Sequence, residues 1–135
     1  MGCGSSAEET PGGVATLVAG SEESKEALDE LKPLPHEDII DKPGKGSFFA
    51  TDLEHLLRTC GVTRLLLGGI TTDVCVHTTM RDANDRGYEC LLLEDCCGAT
   101  DQGNHDAAIK MVKMQGGVFG SVSDSKALLD GLGAL

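Results

Sequence analysis

The chain has no tryptophan, one tyrosine and three phenylalanines in 135 residues. With 18 glycines and a leucine-rich apolar set, such a composition points to an aliphatic core with many tight turns, and to α/β layers rather than a β-sandwich. Clusters of positive charge are also missing. Eleven lysines and arginines stand against 22 aspartates and glutamates, a formal net charge of −11, so phosphate backbones and anionic lipid surfaces are repelled and nucleic acid is not a partner. No apolar run approaches the length that spans a bilayer, and the N-terminus has no basic-then-apolar order of a secretory signal; a cytoplasmic protein is expected. The six cysteines form no CxxC pair, and no histidine stands at zinc-ligand spacing from them. His36, His55 and His105 have no partner spacing for a metal either, so the expectation is no metal and no cofactor. Free thiols in a reducing compartment follow, with Cys60 and Cys90 as small buried hydrophobes and Cys96 and Cys97 just beyond a predicted strand.

What is there reads as a single domain. Residues 1–13 are rich in Gly, Ser and Glu without periodicity and are expected as a flexible tail, leaving 14–135 as the domain. Strand signals occur at Val14–Val18, Asp38–Asp41, Arg64–Gly68, Glu89–Leu93 and Val118–Val122. Helix signals occur at Ser24–Leu31, Asp52–Cys60, Val76–Arg86, from Asn104 to Met114, and at Asp124–Leu132. Thr51 or Asp52 can cap the second of these, with Leu53, Leu56 and Leu57 as its apolar stripe and Gly61 as its stop. Strand and helix alternate with short connections, the pattern of βαβ units in a mostly parallel sheet covered by helices, a three-layer αβα Rossmann-like arrangement. Reactive groups in such sheets collect at the carboxyl ends of the strands.

Cys75 falls at such an end. Leu65-Leu-Leu-Gly-Gly reads as a buried strand closing in a tight turn, and Met80 and Ala83 mark the helix after it. Backbone N–H groups at a helix start favour a thiolate over a thiol, the condition for a nucleophilic cysteine. His77, two residues on, points about 200° around the helix from Cys75 and reads as structural.

Two blocks, Asp41-Lys-Pro-Gly-Lys-Gly-Ser-Phe-Phe-Ala-Thr-Asp-Leu53 and Gly69-Ile-Thr-Thr-Asp-Val-Cys-Val-His-Thr-Thr-Met-Arg-Asp-Ala83 running on through Glu94-Asp95, resemble the isochorismatase-like cysteine hydrolases. Within that family the likeness is to the amidohydrolases that cleave biuret, ureidoacrylate and N-carbamoylsarcosine, and it covers residues 20–132. Lys42 and Cys75 stand 33 positions apart, the spacing of the family's lysine and cysteine. The resemblance implies Cys75 as nucleophile, forming a covalent acyl-enzyme with a small linear amide or ureide. It implies Lys42 as the ammonium that stabilises the negative charge, with Lys45 as the nearby alternative. It further implies a cis peptide between Ile70 and Thr71, with the amides of Thr71 and Cys75 as an oxyanion hole. Gln115 stands where the biuret-hydrolase-like branch has a substrate contact, and equally where a helix ends before Gly-Gly.

One part of the family pattern is absent. Its triad aspartate lies on a first strand, in an Asp-x-Gln-x-Asp-Phe-like segment, and residues 1–30 contain no such segment. The acidic residues before Lys42 lie in the tail, on a helix or beside a strand, and none stands in the context of that first-strand segment. Loss of a positioned general acid/base removes about 10²–10⁴-fold in rate, so weak or stalled turnover is expected. The missing strand would also leave an open gap beside Arg64–Gly68, to be filled by Val14–Val18, a second copy or a related chain. Finally, Met1-Gly-Cys-Gly-Ser-Ser6 fits N-myristoylation at Gly2 with palmitoylation at Cys3, which would anchor the chain to a membrane. The two functions that follow are a hydrolase of C–N bonds and a catalytically dead binding or scaffold protein of the same family.

Overall fold

The computed structural model describes residues 17–20 and 32–134, which fall into two compact units divided between Thr63 and Arg64. The expected tail boundary, the expected helix Ser24–Leu31 and the lipidation residues Gly2 and Cys3 lie outside the described residues. In the first unit, strand β1 (Leu17–Gly20) pairs in parallel with β2 (Asp38–Asp41), Leu17 opposite Asp38 and Gly20 opposite Asp41. A loop then leads to helix α1 (Leu53–Thr59). Leu53 and Leu57, one turn apart, are buried with Ile40, Phe48 and Val62. Asp52 occupies the cap position without a side-chain bond; instead Thr51 Oγ1 accepts from the Leu53 amide at 3.3 Å. Gly61 takes φ +66° and ends the element as expected. Cys60 departs from the all-thiol reading: it is half-buried and disulfide-bonded.

The second unit is a three-stranded parallel sheet in the order β3-β4-β5. Its elements are β3 (Arg64–Ile70), a π-helical turn (Thr72–Val76), α2 (His77–Asp85), β4 (Glu89–Gly98), α3 (Gln102–Lys113), a 3₁₀ turn (Met114–Gly116), β5 (Ser121–Ser123) and α4 (Ser125–Gly133). Every pairing among the described residues is parallel, in keeping with the expected α/β class. The core is Met80 and Ala83 of α2, Cys90 and Leu92 of β4, Ala108, Ile109 and Val112 of α3, and Tyr88, all buried. Asp101 caps α3 by accepting from the Asn104 amide at 2.9 Å, so that helix starts three residues before the expected Asn104 cap would place it. Asp124, expected as the first residue of the last helix, is instead the cap of α4, accepting from Ala127 N at 2.7 Å.

The strands β3 and β4 both run further than their hydrophobic runs. Leu67 lies opposite Leu92, but Gly69 lies opposite Cys97, so β4 carries three extra residues in a bulge. Gly68 makes room for it: a Cβ there would stand 3.1 Å from the Cys96 carbonyl oxygen. Cys96 and Cys97 therefore belong to β4 rather than to a loop beyond it. The acidic pair before them ties the sheet to its helices. Asp95 accepts from both N and Oγ of Ser125 at the start of α4, which holds its carboxyl below the usual range, and Glu94 pairs with Lys113 of α3 at 3.1 Å. β3 has β4 as its one strand neighbour among the described residues, and none of its seven residues is buried.

Candidate active site

The candidate nucleophile sits where β3 turns into α2. The Ile70–Thr71 peptide bond is cis, the geometry the resemblance implies. From Thr71 the chain winds once as a wide π turn: the Thr71 carbonyl accepts from Val74 N at 3.3 Å and from Val76 N at 3.1 Å. Cys75 is the fourth residue of that turn, half-buried and not disulfide-bonded. The sequence placed it at the first residues of an ordinary helix. The observed turn has one more residue than an α turn, and turns of this kind recur at functional sites. Threonine hydroxyls hold both ends. Thr79 Oγ1 donates to the Cys75 carbonyl at 2.7 Å, and Thr72 Oγ1 lies 2.8 Å from His105 Nδ1. Asp73, between them, has a buried Oδ1 with no hydrogen-bond partner.

The other thiols of the described residues are held protonated. Burial pushes Cys90 up to about 11. Desolvation raises Cys97, and desolvation with the adjacent Asp95 carboxylate raises Cys96. A thiol is a poor nucleophile, so these three are poor candidates for chemistry.

Lys42 belongs to the first unit and is described there. It follows β2 directly, is half-buried, and its Nζ donates to the carbonyls of Gly44 at 3.1 Å and Lys45 at 3.2 Å. Lys45 is exposed and contributes its carbonyl to Lys42. The loop is closed by Thr51 Oγ1 donating to Ser47 O at 2.6 Å, over the buried Ser47 and Phe48. This loop sets one ammonium in a carbonyl nest immediately after a strand end.

Gln115 is exposed in the 3₁₀ turn that ends α3, with φ +52° and ψ +31°. His77 is buried on α2. Its Nδ1 accepts from Arg81 Nε at 3.1 Å, its Nε2 has no partner, and its ring meets Phe119 edge-on with centroids 6.0 Å apart. Desolvation, then the Arg81 charge, lowers its pKa, which keeps it a neutral packing group. The residues that sequence reasoning passed over are Thr72, Thr79 and His105. Thr79 was accessible, since a threonine four residues after Cys75 can bond back to its carbonyl. The partner of Thr72 lies 33 residues away, and no local pattern points to it. Among the described residues, no group of three or more His, Cys, Asp or Glu is placed to hold a metal ion, and no helix is long and apolar enough to cross a membrane.

The comparisons with known proteins bear on the whole of this arrangement. Residues 5–126 match the model of the isochorismatase domain. The chain is 35% identical over 122 residues to the secreted isochorismatase effector Isc1 of Verticillium dahliae, covering 87% of this chain and 63% of that protein. It is 36% identical over 108 residues to the ureidoacrylate amidohydrolase RutB of Acinetobacter baylyi, covering 78% of this chain and 42% of that one. The chain thus spans about half the length of these relatives. Among solved structures, an isochorismatase-like hydrolase from Alkaliphilus metalliredigens superposes with a TM-score of 0.73 at 26% identity, over 78% of this chain and 56% of that one. The αβα fold and the extent of the domain match agree, and the chain belongs to the isochorismatase-like hydrolase family.

Proposed function

We propose that this protein is a cysteine hydrolase acting on the C–N bond of a small linear amide or ureide. The observation that carries the reading is the placement of the half-buried Cys75, which forms no disulfide, on a one-turn π helix directly after a parallel strand, with both ends of that turn held by threonine hydroxyls. The Cys75 thiolate attacks the carbonyl carbon, a C–S bond forms, and the C–N bond breaks as the amine leaves with a proton taken from solvent water. Water then cleaves the thioester, releasing the acid and restoring the thiolate. The amides of Thr71 and Cys75 act as the oxyanion hole, where loss of one donor typically costs about 10²–10³ in rate. Lys42 supplies positive charge and Gln115 contacts the substrate. The similarity to RutB, a ureidoacrylate amidohydrolase, supports the ureide class.

The test is ammonia release from biuret, a ureidoacrylate analogue and simple amides, comparing wild type with Cys75→Ala, Lys42→Met and Lys45→Met. Release that requires Cys75 and Lys42 but not Lys45 is expected, together with a covalent adduct on Cys75 by mass spectrometry. Folded wild type and Cys75→Ala that cannot be told apart, with no adduct, would replace this reading with that of a catalytically dead binding protein.

A further inference from the structure

The turn that carries Cys75 is fastened to α3 by a contact that the reaction above does not use. Thr72 opens that turn and is 1% exposed, and its Oγ1 lies 2.8 Å from Nδ1 of His105. His105 is itself fixed. It lies in the first turn of α3, its amide donates to the Asp101 carbonyl at 3.1 Å, and the Asp101 carboxylate caps the same turn through Asn104 N at 2.9 Å. The imidazole is therefore set by a capped helix start on one side and by a buried hydroxyl on the other. Thr79 Oγ1 holds the Cys75 carbonyl at the far end of the same turn.

We propose that His105 is a positioning residue for Cys75, acting through Thr72 to clamp the start of the π turn so that the sulfur is presented in one orientation. This rests on Cys75 being the nucleophile. In this role His105 touches no substrate and moves no proton. The bond needs only a polar atom where Nδ1 lies, as donor to the Thr72 oxygen or as acceptor of its hydrogen. An asparagine amide reaches the position of Nδ1 and can do either, whereas a glutamine amide reaches that of Nε2. That difference separates a positioning contact from general packing at the site.

The experiment is alkylation of the full chain by iodoacetamide, followed at each cysteine by mass spectrometry, with the exposed Cys96 as internal reference. In wild type, Cys75 reacts faster than Cys96. His105→Ala, His105→Gln and Thr72→Val slow Cys75 by about 2- to 10-fold, the worth of one hydrogen bond, and leave Cys96 unchanged. His105→Asn and Thr72→Ser bring Cys75 back to within about twofold of wild type, a rescue that loss of packing alone would not give. Equal Cys75 rates in wild type and in folded His105→Ala or Thr72→Val overturn the inference, as does failure of His105→Asn to restore the rate. If His105→Ala does not fold, Thr72→Val and the Asn/Gln pair carry the test. Should Cys75 react no faster than Cys96 in wild type, the nucleophile reading itself fails, which is a different result from a fast Cys75 indifferent to His105.

Discussion

Gly120→Ala should be among the most damaging single-methyl additions in the second unit. Gly120 stands just before β5 with φ +133°, a backbone region essentially closed to residues with a Cβ. An added Cβ would lie 2.3 Å from the Cys90 carbonyl oxygen and 2.8 Å from Cε of Met80. Neither neighbour can retreat. The oxygen belongs to β4, which is flanked by β3 and β5, and Met80 is fully buried on α2. The backbone conformation costs about 1–3 kcal/mol, and forcing a methyl into a packed interior about 1–3 kcal/mol more. The expected loss is about 2–6 kcal/mol out of the roughly 5–15 that a domain holds. Urea unfolding followed by circular dichroism measures it, with Gly131→Ala as control. Gly131 lies inside α4 with no atom within 4 Å of its would-be Cβ, so alanine there should gain up to about 1 kcal/mol. A Gly120→Ala loss below about 1 kcal/mol with unchanged m-value would refute the claim that β5 is seated against β4 through that glycine.

Three further outcomes follow from the same packing. Asp101→Ala removes the cap of α3 and should cost about 1 kcal/mol of stability, while Asp101→Asn keeps most of it; paired urea midpoints decide this. His77 is held below its ordinary 6.5 by desolvation and then by Arg81, so on acidification the unfolded chain takes up this proton before the folded one does. Its contribution is fully present above pH 6.5 and is lost as pH falls through the lowered folded value, and His77→Gln should flatten that acid limb in stability measured against pH. Arg64 and Glu89 pair across β3 and β4 at 2.8 Å, but both side chains are largely exposed, so a double-mutant cycle should return no more than about 1 kcal/mol and less at high salt.

How far the sequence could be read depended on whether the signal was local. The elements β2, α1, α2 and α4 were legible because each carries its own punctuation: Gly61 after α1, Gly87 after α2, and the Asp124 carboxylate before α4. The cap of α3 was misplaced because Asn104 and Asp101 are both cap residues, and only the structure shows that the aspartate accepts from the asparagine's amide. β4 was cut short at Leu93 for a similar reason. Its hydrophobic run ends there, yet pairing resumes at Cys97, and a strand that returns to register after a bulge leaves no periodic trace.

The candidate site divides along the same line. Cys75, Thr71 and Lys42 became candidates through two short blocks that resemble the family, and those blocks are local enough to be seen in a sequence. Thr72 and His105 were passed over although both stand in plain view, one as a threonine in a motif and the other as a histidine without metal partners. Their 2.8 Å contact is made where α3 packs against the π turn, one turn into a helix that Asp101 caps. The misplaced cap thus lies in the same helix turn as His105, whose side chain meets the turn that carries Cys75. Damage to the Asp101 cap should accordingly appear first as slower alkylation of Cys75, at urea concentrations where the fold is still intact.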